Sequence, residues 1–233
     1  MINNKKISVI IPAYNEMNYI GETLENLKLD WLDELIVVND GSTDKSRDII
    51  KKFQVKLLDL ADNHGKGRAV TEGILCSSGD IIVTVDADLG DSVVEIKKLI
   101  DPLINDDYEA AVGIMPVTGG GLGIVRKLAD WGLKGITGKT MLAALSGQRA
   151  YRREILDYIL PLENGFAMEM GINIDLIKNS IKFIEVECSF KHRVSRQDLT
   201  GYRHRIRQFA DISRFLWRLK REKYVYKNKI RRA

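Results

Sequence analysis

The chain has 233 residues, of which 45% are hydrophobic and 29% are charged, a composition typical of one globular α/β domain, or of one such domain with a tail. No apolar run approaches the roughly 20 residues of a membrane-spanning helix, and the first residues lack the features of a signal peptide. The two cysteines, Cys76 and Cys188, lack metal-ligand spacing. We therefore expect a cytoplasmic protein with two unpaired thiols.

The net formal charge of +4 is unevenly distributed along the chain. From Tyr202 onwards Lys and Arg far outnumber the two acidic residues, Asp211 and Glu222, so the preceding residues are net acidic. Apolar residues at helical spacing between positions 206 and 219 predict an amphipathic C-terminal helix with a basic opposite face. Such a helix could contact an anionic membrane surface, or it could pack on the domain with a solvated basic face.

Strand and helix patterns alternate in the first part of the chain. We predict strands at residues 7–11, 34–38, 55–58 and 81–85, with Pro12 ending the first. Helices follow at residues 20–27, around 49–53 with Ser42 or Thr43 as N-cap, and at 69–75. This alternation predicts a parallel, doubly wound sheet, which binds its ligands at the carboxyl ends of its strands.

The second part of the chain has a less regular pattern. We predict helices at residues 93–104, 122–136 and 165–176, a short helix after Tyr151, and a strand at 110–115. A flexible glycine-rich loop covers residues 118–123. Residues 183–190 alternate like an edge or antiparallel strand. No repeat, low-complexity linker or internal domain boundary is evident, so one domain is expected for residues 1–200, followed by a basic helical tail at 201–233.

Asp86 and Asp88 follow the buried strand at residues 81–85, where unpaired carboxylates would be costly to bury. Alternate side chains of a strand share a face, so both carboxylates point the same way if the extended geometry persists. Two such groups could hold a hard divalent cation, since Mg²⁺ is typically bound by one or two carboxylates together with phosphate oxygens. A strand leaving the core through a polar turn would have the same short pattern, so the motif alone does not separate the two interpretations.

Two other strand-end loops carry candidate ligand contacts. Asp40 could accept a hydrogen bond from a nucleobase, or form an Asx-turn or helix cap. The loop at residues 65–67 (GKG) lets the backbone approach a ligand and places Lys66 near a phosphate, or it is a solvated turn. Neither a Walker A loop nor a Gly-x-Gly-x-x-Gly fingerprint follows the first strand, which argues against those phosphate and dinucleotide sites.

Four further residues in the second half could serve the same site. His192 follows a strand and could complete a metal ligand set, although a lone histidine is often structural or exposed. Glu169 could accept a hydroxyl proton or simply favour a helix N-terminus. Arg149 and Arg193 suit phosphate, or they are ordinary surface residues.

Four motifs in order, VIIPAYNE (9–16), VVNDGSTD (37–44), GKG (65–67) and GDIIVTVDADL (79–89), resemble the nucleotide-binding half of family-2 glycosyltransferases. The second half is similar to glucosyl-3-phosphoglycerate synthases through GGG (119–121), LSGQRAYRREIL (145–156) and GFAMEMGINIDL (165–176). A weaker similarity is to polyprenyl-phosphate sugar synthases of the dolichyl-phosphate mannose synthase type. The resemblance implies the A-type glycosyltransferase (GT-A) fold, with a nucleotide-binding half at 1–90 and an acceptor-side half at 91–200.

The resemblance also implies roles at matching positions. The uridine would be lined by Pro12, Ala13, Tyr14 and Glu16, and Asp40 beside Gly41 would read the base. Lys66 would lie by the base or diphosphate, Asp86 near ribose and metal, and Asp88 and His192 would ligate Mg²⁺ or Mn²⁺. Gly147 would lie behind the sugar, and Glu169 would contact sugar or acceptor. Glu169 and Asp88 are therefore the predicted catalytic residues.

The sequence departs from the glucosyl-3-phosphoglycerate synthase pattern where that pattern holds its acceptor. Leu122, Gly123 and Ile124 replace an Arg-x-Thr after the glycine triplet, and Phe190 and Val194 replace an Arg and an Asn around His192. We therefore predict a metal-dependent transferase that uses a UDP-hexose and an unidentified small-molecule acceptor. A lipid-linked acceptor with peripheral membrane contact is the alternative, and a homodimer is open. A sugar nucleotidyltransferase or a non-catalytic binding protein is less consistent with these residues, and no nucleic-acid partner is expected.

Overall fold

The computed structural model describes residues 1–114, 123–165, 167–191 and 209–219. Predictions for the glycine triplet at 119–121, for His192 and Arg193, and for the final residues 220–233 lie outside these ranges. None of the described helices is long and apolar enough to cross a membrane.

Seven strands form one sheet in the order β3-β2-β1-β4-β6-β5-β7. The strands are β1 (Ile7–Ala13), β2 (Glu34–Asp40), β3 (Lys56–Leu60), β4 (Ile81–Thr84), β5 (Ala110–Ile114), β6 (Arg149–Arg152) and β7 (Phe183–Glu187). Within this described sheet β6 alone is antiparallel, to both β4 and β5, whereas the other neighbours pair parallel. The predicted mostly parallel α/β sheet is confirmed.

The described helices lie on both faces of the sheet. They are α1 (Ile20–Asn26), α2 (Ser46–Ile50), α3 (Lys66–Leu75), α4 (Ile96–Asn105), α5 (Gly123–Thr137), α6 (Leu156–Ile159) and α7 (Ala167–Lys178). Neighbouring residues of β1 face opposite layers: Val9 packs with α1 and α4, whereas Ile10 packs with α3 and α7. The near-continuous apolar run of β1 follows from this burial on both faces.

Residues 209–219 are helical, and we call them the C-terminal helical segment. Its apolar side, Ile212, Phe215 and Leu219, shares a core cluster with residues of α5 and α7. This segment therefore packs on the domain, in agreement with one of the two interpretations of its amphipathic pattern.

The structure corrects two predictions in the first part of the chain. Pro12 was predicted to end β1 but lies inside it. A proline is tolerated there because β1 pairs with β4 only as far as Ile10, so residue 12 pairs with β2 on one side only. Neither Ser42 nor Thr43 caps α2, which begins later, at Ser46; the Ser46 N–H instead donates to the Asp44 carboxylate at 2.8 Å.

Three further differences lie in the second half. The pattern did not predict β6, a four-residue strand with two arginines that fills the space between β4 and β5. The predicted helix at 93–104 is a 3₁₀ turn, Gly90–Glu95, followed by α4. Residues 183–187 form an edge strand as predicted, but the antiparallel alternative is wrong, because β7 pairs parallel with β5.

Candidate active site

The loops after β1 and β2 are joined by hydrogen bonds at the carboxyl edge of the sheet. The Asn15 side-chain oxygen accepts from the Thr43 N–H at 2.8 Å, and the Ser42 hydroxyl accepts from the Asn15 N–H at 3.0 Å. The Glu16 N–H donates to the Ser46 hydroxyl at 2.7 Å. The segment predicted to line the nucleobase is thereby held against the loop that follows Asp40.

The predicted uridine-lining residues differ in accessibility. Ala13 is buried and Pro12 half-buried at the end of β1, whereas Tyr14 is 46% exposed and Glu16 is half-buried. Tyr14 therefore presents an accessible ring at the strand end, which suits stacking on a base.

Asp40 is almost fully buried at the end of β2 and organises the next loop. Its two carboxylate oxygens accept from the backbone N–H groups of His64 and Gly65, both at 2.8 Å. Gly41 has a φ of +68°, and a Cβ there would lie 2.5 Å from the Asp62 carbonyl carbon, so only glycine fits. Asp40 therefore positions the start of α3, and its predicted contact with the base stays a prediction.

Lys66, the first residue of α3, joins two acidic side chains from distant parts of the chain. Its Nζ lies 2.6 Å from Asp86 Oδ1 and 3.3 Å from Glu169 Oε1. Burial alone would lower the pKa of Lys66, but the two carboxylates raise that pKa above its usual range. Asp86, which follows β4, thus forms one charged cluster with Lys66 of α3 and Glu169 of α7, which we call the Lys66 cluster.

The segment leading into β6 closes this cluster from one side. A Cβ on Gly147 would lie 2.5 Å from Lys66 Nζ and 3.2 Å from Asp86 Oδ1. The Gly147 carbonyl accepts from the Thr84 hydroxyl at 3.1 Å, and Gln148 Nε2 donates to Asp86 Oδ2 at 3.0 Å. Glycine at position 147 therefore lets the chain lie directly against the ammonium and the carboxylate.

Arg149 is fully buried beneath the Lys66 cluster, so its interpretation as a surface residue is wrong. Its Nε donates to the Ser146 carbonyl at 2.7 Å and its Nη1 to Asn173 Oδ1 at 2.8 Å. Asn173 in turn donates to the Ala144 carbonyl at 2.7 Å. These hydrogen bonds connect the segment before β6 to Asn173 of α7. Asn173 lies one helical turn after Glu169, whose residue surface is 4% exposed.

The two aspartates do not sit on an extended strand, because β4 ends at Thr84 and a turn includes Ala87 and Asp88. The Ala87 carbonyl accepts from the Thr23 hydroxyl at 2.8 Å, and that same hydroxyl accepts from the Gly90 N–H at 2.9 Å. The turn is therefore held by α1, and strand alternation does not set the directions of the two carboxylates.

The donor set at this turn fits a divalent cation. Asp86 already attracts the cationic Lys66, and two carboxylates with diphosphate oxygens are the ligands that Mg²⁺ or Mn²⁺ takes. The described residues contain no group of three His, Cys, Asp or Glu side chains placed to hold a metal by themselves. The predicted third ligand, His192, lies outside the described residues.

Sequence patterns did not predict the supporting residues Thr23, Thr84, Gln148 and Asn173. Three of them lie in segments that resemble the family, Thr84 in 79–89, Gln148 in 145–156 and Asn173 in 165–176, whereas Thr23 lies outside these segments. Asn173 lies four residues after Glu169 and therefore on the same side of α7. That spacing could have indicated a polar stripe on an otherwise apolar helix.

A GT-A-like sheet with a polar carboxyl edge is the framework of nucleotide-sugar-dependent glycosyltransferases, and sequence comparison agrees. The family described as Glycosyl transferase family 2 matches residues 8–160. The chain therefore belongs to glycosyl transferase family 2 and is a glycosyltransferase.

Among curated proteins, a dolichol-phosphate mannosyltransferase of Pyrococcus furiosus is 32% identical over 79% of this chain. This chain spans only 56% of the length of that enzyme. A UDP-N-acetylglucosamine–dolichyl-phosphate N-acetylglucosaminyltransferase of Methanococcus voltae is 31% identical, over 66% of this chain and 72% of its own length.

Among solved structures, glucosyl-3-phosphoglycerate synthase of Mycobacterium tuberculosis is similar, with a TM-score of 0.76 and 26% identity. The match covers 94% of this chain and 80% of the synthase, whose crystals contain Mn²⁺, UDP and glucosyl-3-phosphoglycerate. Both resemblances expected from the sequence are thus confirmed.

Proposed function

We propose that this glycosyltransferase transfers a hexose from a UDP-sugar, with Mg²⁺ or Mn²⁺ bound at Asp86 and Asp88. The observation that carries the proposal is the Lys66 cluster, in which Lys66 Nζ lies between Asp86 and Glu169 at the carboxyl edge of the sheet. The similar mycobacterial synthase binds UDP and Mn²⁺, which supports the same donor chemistry here.

In this proposal each residue has a distinct task. Tyr14 and Asp40 border the nucleobase, and the Lys66 ammonium binds the diphosphate. The bond between the anomeric carbon and the diphosphate oxygen breaks, and a bond to an acceptor oxygen forms. Glu169 contacts the sugar or takes the proton of an acceptor hydroxyl. A bound divalent ion would neutralise the departing nucleoside diphosphate.

The proposal is tested by measuring the affinity of purified protein for UDP by calorimetry, with and without Mn²⁺. We expect UDP binding that depends on Mn²⁺ and exceeds that of GDP, and we expect Asp88→Ala to abolish the Mn²⁺ dependence. The control is Asp107→Ala, which removes a carboxylate that is 84% exposed on the surface. Unchanged, Mn²⁺-dependent UDP binding in Asp88→Ala would refute this assignment of the metal site.

A lipid-linked acceptor is a second candidate within the same activity, since both curated relatives named above are dolichyl-phosphate enzymes. Residues 122–124 also lack the Arg-x-Thr that glucosyl-3-phosphoglycerate synthases use for their acceptor. We would incubate the enzyme with radiolabelled UDP-glucose and either polyprenyl phosphate or 3-phosphoglycerate. Label in the organic phase supports the lipid acceptor, whereas label in an anionic water-soluble product refutes it.

A further inference from the structure

Helix α5 and the C-terminal helical segment lie side by side over α7. A Cβ on Gly132 of α5 would lie 2.5 Å from Leu216 Cδ1, so glycine permits the close approach of the two helices. Buried residues of both helices share a core cluster with Met170 and Ile174 of α7. Because both helices turn their apolar sides towards α7, their exposed sides form one outer surface.

This outer surface carries large aromatic side chains beside the line of contact between the helices. Trp131 precedes Gly132 and is 71% exposed, whereas Trp217 follows Leu216 and is 62% exposed. Phe209 is 44% exposed at the start of the C-terminal helical segment. We call this surface the two-tryptophan face. Exposed indoles of this kind are typical of side chains that partition into a membrane interface.

The two-tryptophan face is also the basic part of the described molecule. Residues 123–139 and 209–219 together carry six Lys or Arg and two Asp, whereas the other described residues carry eighteen Lys or Arg and twenty-eight Asp or Glu. Lys127 and Lys134 are exposed on α5, and neither makes an ion pair with another described residue. Within the described part of the chain, the positive charge of these two lysines is thus not neutralised by an ion pair.

We propose that the two-tryptophan face docks on an anionic lipid bilayer, with the indoles in the headgroup region and Lys127 and Lys134 against lipid phosphates. Aromatic side chains fit the boundary between headgroups and acyl chains, and lysines beside them fit the anionic phosphates above it. A second copy of this chain is a poorer fit, because two-fold pairing of this face would bring its lysines towards one another. The proposal concerns a partner surface and does not depend on the identity of the donor or the metal.

The test is co-sedimentation of the full chain with phosphatidylcholine vesicles that either contain or lack phosphatidylglycerol. We expect binding only to the anionic vesicles, weakened by salt. Each lysine near an anionic surface contributes about fivefold in affinity, so Lys127→Glu with Lys134→Glu should reduce binding by at least about 25-fold. The control, Lys51→Glu with Lys52→Glu, makes the same charge change at exposed residues near the end of α2.

The aromatic part is tested separately with Trp131→Ser and Trp217→Ser combined, which leaves Trp31 as the last of the three tryptophans. We expect this variant to lose vesicle binding and the wild-type blue shift of indole fluorescence, while its circular dichroism stays unchanged. Equal binding by wild type, the tryptophan variant and the lysine variant would overturn the proposal. Wild-type protein that binds no vesicles would also overturn the proposal. If, in addition, the tryptophan variant dissociated a homodimer, the two-tryptophan face would be an interface between two copies of this chain.

Discussion

Lys66 Nζ lies 2.6 Å from Asp86 Oδ1, so an ammonium group occupies the side of the carboxylate that we propose faces the metal and the diphosphate. The same ammonium is 3.3 Å from Glu169 Oε1, so Lys66 links a residue that follows β4 to a residue of α7. A donor diphosphate bound at Lys66, as we propose, would share this ammonium with the two carboxylates.

Removal of this cation by Lys66→Met should weaken Mn²⁺-dependent UDP binding. A hydrogen bond to a charged group contributes about 1.5–3 kcal/mol, so we expect the Kd for UDP to rise about tenfold to hundredfold. Calorimetry measures this Kd, with Lys97→Met as the control because Lys97 forms an exposed pair within α4. An unchanged Kd in Lys66→Met would exclude the diphosphate role.

A methyl group at Gly147 should disturb the site more than the fold. In Gly147→Ala the new Cβ would displace the end of the flexible Lys66 side chain, at 2.5 Å. Stability should therefore fall by about 1 kcal/mol, the low end of the cost of an added methyl group, whereas UDP affinity should fall severalfold. Gly135→Ala on α5 is the matched control, since a Cβ there meets nothing within 4 Å. Urea unfolding and calorimetry separate the effects, and equal UDP affinity in both variants would contradict the expectation.

Asp44 should stabilise the loop before α2 in a pH-dependent way. Burial alone would raise the pKa of Asp44, but hydrogen bonds from Ser46 and from the Met17 N–H lower that pKa below its usual 3.8. Because the pKa of Asp44 is lower in the folded state, the carboxylate stabilises the fold at pH values above 3.8. This contribution is lost as the pH falls through the folded-state pKa. Asp44→Asn should therefore be about 1 kcal/mol less stable at neutral pH.

The measurement is urea unfolding of wild type and Asp44→Asn across the acid range. The difference between their free energies of unfolding should shrink as the pH falls below 3.8. A difference that stays constant with pH would show that the carboxylate charge at position 44 is not involved.

Arg149→Met should destabilise the protein strongly, because the arginine is fully buried and holds the Ser146 carbonyl and the Asn173 side chain. Leaving both acceptors unsatisfied should cost about 2–4 kcal/mol. Chemical unfolding measures this cost, and Arg214→Met, which removes an arginine that is 75% exposed, should change stability by less than about 0.5 kcal/mol. Similar stabilities for the two variants would refute the supporting role of Arg149.

The two cysteines should differ in reactivity towards iodoacetamide. Burial, with a contribution from the nearby Glu95, raises the pKa of Cys188 to about 11, and its side chain is 5% exposed. Because the thiolate is the reactive form, native protein at mildly alkaline pH should be alkylated at the half-buried Cys76 and spared at Cys188. Peptide mass spectrometry after a short exposure locates the label, and equal labelling would contradict the burial of Cys188.

The amino-acid sequence by itself determined the strand pattern of the first 90 residues. The apolar runs of β1, β2 and β4 are buried by helices on both faces, so short continuous patterns were enough to place the strands. Asp40, Lys66 and Asp86 follow strand ends, and parallel strands bring their carboxyl ends to one edge. The shared location of these residues was therefore predictable, and the similarity of the motifs to family 2 is confirmed by the family match.

Only the tertiary structure decided how the second half completes the site. β6 is a strand because β4 and β5 bond it on both sides, and its four residues with two arginines carry no such pattern. The contact of Lys66 with Glu169 joins residues 103 positions apart, a distance over which local patterns carry no information. The burial of Arg149 and the approach of Gly147 to Lys66 likewise depend on packing between distant segments, whereas periodicity reports only on neighbours along the chain.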